Sequence, residues 1–252
     1  QRPFRARALQ LRGERGIKAV LRRTHCGAAG KSIAFPAVLC YNRGMNRPNF
    51  DEMMRAEMKA APEGARLLLH SCCGPCSSRC IEELKEKFRV TVFYYNPNIT
   101  DPAEYAHRKA EQLRLLRETG WADSLDCDYD PAGFFAAAKG LEGEPEGGAR
   151  CRACFVLRLS RTARAAKEGG YAYFCSTLSV SPHKNAAWLN EIGEKLQEEC
   201  GVLWLHNDFK KRGGYLRSTQ LAREYGLYRQ NYCGCIFSDW TKRSPAEKGQ
   251  NQ

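Results

Sequence analysis

Three groups of cysteines carry the chemistry open to this chain. The first is Cys72-Cys73-Gly74-Pro75-Cys76, where an apolar run gives way to a helical pattern. A helix N-terminus offers free backbone N–H groups and a positive dipole end, both of which favour thiolate, the form that binds metal. The second group is Cys151-Arg152-Ala153-Cys154, whose sulfurs share one face at the start of another helix. Two thiolates from each group make a four-thiolate set, which suits zinc or an iron–sulfur cluster. The third is Cys233-Gly234-Cys235. Two cysteines separated by one glycine close only a small, strained disulfide ring, and strained disulfides are the reducible, catalytic kind.

Simpler readings compete with these. Cys73-Gly74-Pro75-Cys76 alone also reads as a thioredoxin dithiol at a strand-to-helix turn. That reading leaves Cys72 and the other two groups unexplained. Cys80, Cys127, Cys175 and Cys200 read as small buried hydrophobes. Thirteen cysteines in 252 residues fall below the density of a disulfide scaffold, roughly 8–10%. No apolar run with a small-residue cleavage site is visible near the start. The expectation is a reducing cytoplasm, where many cysteines mean metal or redox chemistry.

The elements that must position these groups follow from hydrophobic periodicity. Helices are expected from Asn49 to Ala60, through Ile81, Leu84 and Phe88, from Ala103 to Glu118, from Phe134 to Lys139, from Cys151 to Lys167, from Asn185 to Glu199 and near Thr219–Tyr225. Strands are expected at Leu67–His70, Val90–Tyr95, Ser124–Cys127, Tyr171–Cys175 and Val202–Leu205. Strands alternating with helices imply a mainly parallel sheet, whose ligands sit beyond the C-terminal strand ends.

Three polar segments stand near such ends. Tyr94-Tyr95-Asn96-Pro97-Asn98 could stack on and hydrogen-bond a base, or form an ordinary turn. The hydroxyl-rich loop Ser176 to Asn185 could bind phosphate or a sugar hydroxyl, or simply cap the next helix through Ser181. Phe209 to Tyr215 suits a phosphate backbone, or is a solvated charge run. Asp126, Asp128 and Asp130 read as solvated.

Hydrophobic residues at 43% and charged residues at 27% exclude a disordered chain. No stretch approaches 18 consecutive apolar residues, so no membrane partner is expected. The net charge of +12 lies mostly in residues 1–44, which hold ten Lys/Arg against Glu14 alone. All four methionines fall between Met45 and Met58. Met45 is therefore the expected natural start, with 1–44 a basic leader foreign to the fold, 45–242 a single catalytic domain and 243–252 a disordered tail. A basic RNA-binding arm and a transit peptide are the competing readings of the leader. Its Cys26 and Cys40 are discounted as ligands.

Five ordered motifs carry a resemblance. They are Leu67 to Ser77, Phe93 to Ile99, Cys151 to Phe155 with Arg158-Leu159, Ser176 to Pro182, and Tyr228 to Ser238. From about Asn46 to Trp240 the chain resembles the cobalamin-independent epoxyqueuosine reductases of the QueH type. The resemblance implies an α/β fold, a Rossmann-like parallel sheet of the adenine-nucleotide alpha-hydrolase (HUP) type, with a cysteine-bearing C-terminal segment. It implies the last step of queuosine synthesis, the two-electron reduction of an epoxide on the wobble base of tRNA. Cys72, Cys73, Cys151 and Cys154 would be ligands of a 4Fe-4S cluster, and Cys233/Cys235 a redox-active pair. Cys76 is the candidate for helping to hold an additional iron. The implied partners are tRNA carrying epoxyqueuosine and an electron donor that the sequence does not identify.

Two other classes remain to be separated. An ATP-dependent tRNA-modifying enzyme of the same fold would want a Ser-Gly-Gly-x-Asp-Ser-like phosphate loop, and His70 to Cys76 stands in that place. A non-catalytic zinc-binding RNA protein would hold zinc alone.

Overall fold

The computed structural model describes residues 48–238. The leader and the tail expected at 1–44 and 243–252 lie outside them. Helix α1 is Phe50–Ala60, strand β1 Ala65–His70, α2 Gly74–Leu84, β2 Phe88–Phe93, α3 Pro102–Thr119 and β3 Asp123–Leu125. Then come α4 Pro131–Ala138, α5 Ala149–Glu168, β4 Tyr173–Ser176, a 3-10 turn at Thr177–Val180, α6 Ala186–Cys200, β5 Leu203–Trp204, and α7 Gly214–Glu224. A last 3-10 turn spans Ile236–Ser238.

The five strands form one all-parallel sheet in the order β3-β2-β1-β4-β5. Leu67, Leu68 and Leu69 of the central strand are fully buried. That explains a continuous apolar run rather than an alternating one, since a parallel strand is covered on both faces. The chain leaves β1 in one direction through β2 to β3, then returns to the other side of β1 as β4. This reversal opens a crevice beyond the C-terminal ends of β1 and β4, the usual ligand position in such sheets.

The boundaries differ from expectation where tertiary pairing overrides local pattern. The helix expected to run through Phe88 stops at Leu84, and Phe88 opens β2 opposite Ala65. Leu84 and Phe88 stand at helical spacing, but Phe88 gains a strand partner instead. Strand β3 ends at Leu125, so Cys127 lies beyond it and is half-buried. Cys80 and Cys175 are buried free thiols as expected, and Cys200 is buried but disulfide-bonded rather than a free thiol. Asp130 is not merely solvated, because its carboxylate accepts the Gly133 N–H and caps α4. The cap of α6 is Asn185, while Ser181 accepts the His183 N–H in the preceding turn.

The segment from Phe209 to Tyr215 is a clasp. Phe209 is buried, and Arg212 bonds Asp51 of α1 at 3.0 Å and also Glu83 of α2. A second clasp is His206, bonded to Glu57 of α1 at 2.5 Å and Glu194 of α6 at 2.9 Å. Burial opposes its charge, but the two carboxylates outweigh it and raise the imidazole to about 9. The folded imidazole keeps its proton to about pH 9, while the unfolded one releases it near 6.5. Its contribution to stability is complete below that lower value and is lost as pH rises through about 9. Denaturation midpoints should therefore fall across that window, and His206→Asn should flatten the fall.

Gly193 of α6 sits on the ring of Trp204, where an added Cβ would stand 2.1 Å from a ring carbon. Trp204 is held there by donating Nε1–H to Asn190 Oδ1 at 2.9 Å. Gly193→Ala should cost about 1–3 kcal/mol by overpacking, read as a lower urea midpoint at unchanged slope.

Candidate active site

The loop after β1 carries the first cysteines into the crevice, and buried polar groups set its path. The Ser71 N–H donates to Phe93 O at 3.0 Å, and Asn96 Nδ2 donates to Ser71 O at 2.8 Å. Ser71 and Ser77 hydroxyls both donate to Gln112 Oε1 of α3, at 2.6 and 2.7 Å. From the β4 side, Thr177 Oγ1 accepts the Cys72 N–H at 3.2 Å. Pro75 in the first turn of α2 suits a helix start, where no N–H is needed.

The sulfurs of Cys72, Cys73 and Cys76 all lie within 4.8 Å of one another. Donation from the Cys73 and Cys76 thiols, with Arg158 and Thr177 nearby, holds Cys72 well below the usual thiol range despite its burial. The same sharing and burial push Cys73 up to about 12 and Cys76 well above its ordinary value.

Cys151 and Cys154 stand on the first turns of α5. Burial raises both thiols, Cys154 to about 12, although the Gly147 N–H donates to Cys151 Sγ at 3.2 Å. These two sulfurs line one cavity together with Cys233, Cys235, Arg158, Lys184 and Glu146. The structure thus sorts the seven sulfurs into a triplet at the junction of β1 and α2 and a quartet from α5 and the tail. Arg158 links the two, since its charge acts on Cys72 and also on Cys154 and Cys233.

The tail is pinned by the turn after β2. Arg108 of α3 is buried, bonds Glu104 at 2.5 Å, and donates to Tyr232 O at 3.4 Å and Cys233 O at 3.3 Å. The Thr100 N–H donates to Gly234 O at 3.1 Å. Gly234 has φ +91°, and an added Cβ would meet Ile99 at 2.9 Å, so this position takes glycine alone without strain. The Tyr94 to Asn98 turn serves this docking. Tyr94, Tyr95, Asn96 and Asn98 are all buried, so the tyrosines pack rather than offer faces to a base.

The two tail sulfurs sit in unlike surroundings. Cys235 packs with Phe134, Ala138 and Cys154, and burial lifts its thiol to about 11. Cys233 Sγ lies 3.6 Å from Lys184 Nζ and 3.7 Å from Asn98 Nδ2. Burial alone would raise Cys233, but Lys184, Arg158 and Arg108 outweigh it and lower its thiol. Lys184 also approaches Glu146 at 3.8 Å.

Sequence reasoning read Lys184 as part of a phosphate or sugar loop and assigned Arg108 and Glu146 no part here. Their signal lies in tertiary position, because each is remote in sequence from the sulfur it faces. The donor set fits an iron–sulfur centre in its chemistry. It offers buried and half-buried soft sulfur ligands whose simultaneous deprotonation needs cationic compensation, which a metal supplies.

A doubly wound α/β sheet with buried thiols gathered at its switch point defines a redox or metal-thiolate protein of Rossmann-like fold. The family profile described as epoxyqueuosine reductase QueH matches residues 67–241. A protein of that name from Staphylococcus epidermidis is 40% identical over 200 residues, 75% of this chain and 84% of that protein. One from Streptococcus pyogenes is 40% identical over 198 residues, 75% of this chain and 78% of its own length. One from Thermotoga maritima is 34% identical over 178 residues, 68% of this chain and 89% of its own length. The chain belongs to the QueH family of epoxyqueuosine reductases, and is an oxidoreductase. No helix among the described residues is long and apolar enough to cross a membrane.

Proposed function

We propose that the chain reduces epoxyqueuosine to queuosine at the wobble position of tRNA, the final step of queuosine biosynthesis. Family membership supports the reaction class. The observation that carries the site is the shared cavity of Cys151, Cys154, Cys233 and Cys235 beside Arg158, whose charge reaches the Cys72 loop. Cys72, Cys73, Cys151 and Cys154 would hold a 4Fe-4S cluster, and Cys76 stands close enough to the first two to join a further iron. When bound, such a centre supplies one-electron transfer and a Lewis acid for the epoxide oxygen.

The chain's own residues supply the rest. Removing the epoxide oxygen takes two electrons and two protons and releases water. Cys233 and Cys235 yield that pair of electrons and two protons as they close to a disulfide. Lys184 holds Cys233 as the more acidic thiol, and Cys235 closes the ring from its apolar pocket. Gly234 lets the chain turn at positive φ between the two cysteines, close against Ile99. An external electron donor then restores the dithiol. A reducing cytoplasm is the compartment that suits these free thiols.

Anaerobically purified protein should contain iron with sulfide and convert epoxyqueuosine tRNA to queuosine tRNA. Zinc without sulfide, and no conversion, would replace this reading with a zinc-binding RNA protein.

A further inference from the structure

Arg158 is a buried guanidinium, 2% exposed, in the middle of α5. Its Nε donates to His70 Nε2 at 3.2 Å, and its Nη2 donates to Asn96 Oδ1. An imidazole is neutral or positive and an amide is neutral, so neither partner is a counter-ion. No carboxylate lies within ion-pair distance of Arg158 among the described residues, whereas Arg108 has Glu104 and Lys184 has Glu146. Arg150, also buried, has the backbone carbonyls of Leu141, Glu142 and Glu144 instead. A buried charge without an opposite charge is strongly unfavourable. Apart from Glu146, which pairs with Lys184, the groups able to carry negative charge around the cavity that Arg158 borders are sulfurs. Arg158 borders the cavity of Cys151, Cys154, Cys233 and Cys235. Through Asn96 and its bond to Ser71 O, it also ties into the loop that carries Cys72 and Cys73.

We propose that Arg158 is the built-in counter-charge of the thiolate-bound centre, held by His70 and Asn96 so that it raises the centre's reduction potential. This rests on the cluster reading above. Four thiolates around a cluster leave a net negative charge that grows by one on reduction. A fixed positive charge in a low-dielectric site stabilises the reduced form more than the oxidised form. Arg158 is thus a positioning and tuning residue, not one that meets the epoxide.

The test is potentiometric titration of the anaerobic holoprotein, followed by absorbance and electron paramagnetic resonance, after iron and sulfide have been counted. Arg158→Gln should lower the ratio of reduced to oxidised centre at a fixed potential by about tenfold or more, a midpoint about 59 mV lower for one electron. Arg158→Lys keeps the charge and should stay within about threefold of wild type by the same relation. A Gln variant with full iron and an unchanged midpoint would overturn the proposal and leave the family reading untouched. Equal shifts in both variants would overturn it too, by assigning the effect to the lost hydrogen-bond fork. If the Gln variant does not fold, the Lys variant decides, and a tenfold departure in it overturns the idea. Wild-type protein without iron and sulfide would remove the cluster reading and this one together, and the metal count shows which case holds before any potential is measured.

Discussion

Cys151→Ser and Cys154→Ser, each made singly, should lose most bound iron and with it the visible absorbance of the purified protein. Cys72→Ser and Cys73→Ser should do the same. These side chains come from two distant elements, the loop after β1 and the first turns of α5. Loss of either contributor leaves an incomplete ligand set, so turnover should fall by more than the roughly 10–100-fold that outer-shell changes cost. Cys175→Ala is the control, a buried thiol in β4 grouped with neither set of site sulfurs. It should keep iron and activity at some cost in stability. Full iron content in Cys151→Ser would refute the ligand assignment. Iron lost from Cys76→Ser in part, with the cluster spectrum kept, would assign Cys76 to a separate ion.

Cys233→Ser or Cys235→Ser should abolish turnover while leaving the iron–sulfur spectrum intact. The apolar packing of Cys235 and the polar surroundings of Cys233 make the two losses distinguishable. An alkylating reagent near neutral pH should modify Cys233 before Cys235, because thiolate reacts and Cys233 is the more acidic thiol. Lys184→Met should slow that modification at pH 7 and less so at high pH, since it removes the charge favouring the thiolate. Substrate tRNA should convert two alkylatable sulfurs to none in the wild type. Loss of iron in both tail variants would make the pair ligands, and normal turnover without either sulfur would dispose of both roles.

Much of this was legible in the residues. The alternation of apolar runs with helical periods pointed to a parallel sheet, because strands buried on both faces must read as Leu67-Leu68-Leu69 does. The helices that begin at Gly74 and Ala149, beside Cys73 and Cys151, were legible from their apolar period. How the sulfurs sort in space was not. Spacing pairs the cysteines along the chain, but that Cys76 stands with Cys72 and Cys73, and that the tail pair shares a cavity with Cys151 and Cys154, is a matter of tertiary position. That outcome depends on where the chain end docks, and the docking is set by Arg108, Asn98 and Thr100 reaching across the fold. The tyrosine and asparagine turn leaves base-binding and an ordinary packed turn both open in the sequence, because the two use the same residue types, and burial decides for the turn. Asn96 and Asn98 spend their amides on the backbone of the site. The basic run at Lys210-Lys211-Arg212 reads as a phosphate contact or a solvated charge run, and neither reading shows that Arg212 meets Asp51 of α1, a partner far away in the chain.

The docking of the chain end through Gly234 and Arg108 has a consequence for how the protein is made. Cys72, Cys73 and Cys76 emerge from the ribosome early, while Cys233 and Cys235 emerge last. At about 5–20 residues per second, the interval is on the order of ten seconds or more. Until it ends the tail side of the cavity is missing, because Cys233 and Cys235 line it together with Cys151 and Cys154. A cofactor delivered in that interval would meet a wide mouth, and the closing tail would then seal it. One delivered later must wait for the Arg108 contacts to open. If a centre is loaded here, the docking of the last few described residues through Arg108 and Thr100 would decide how late it can be filled.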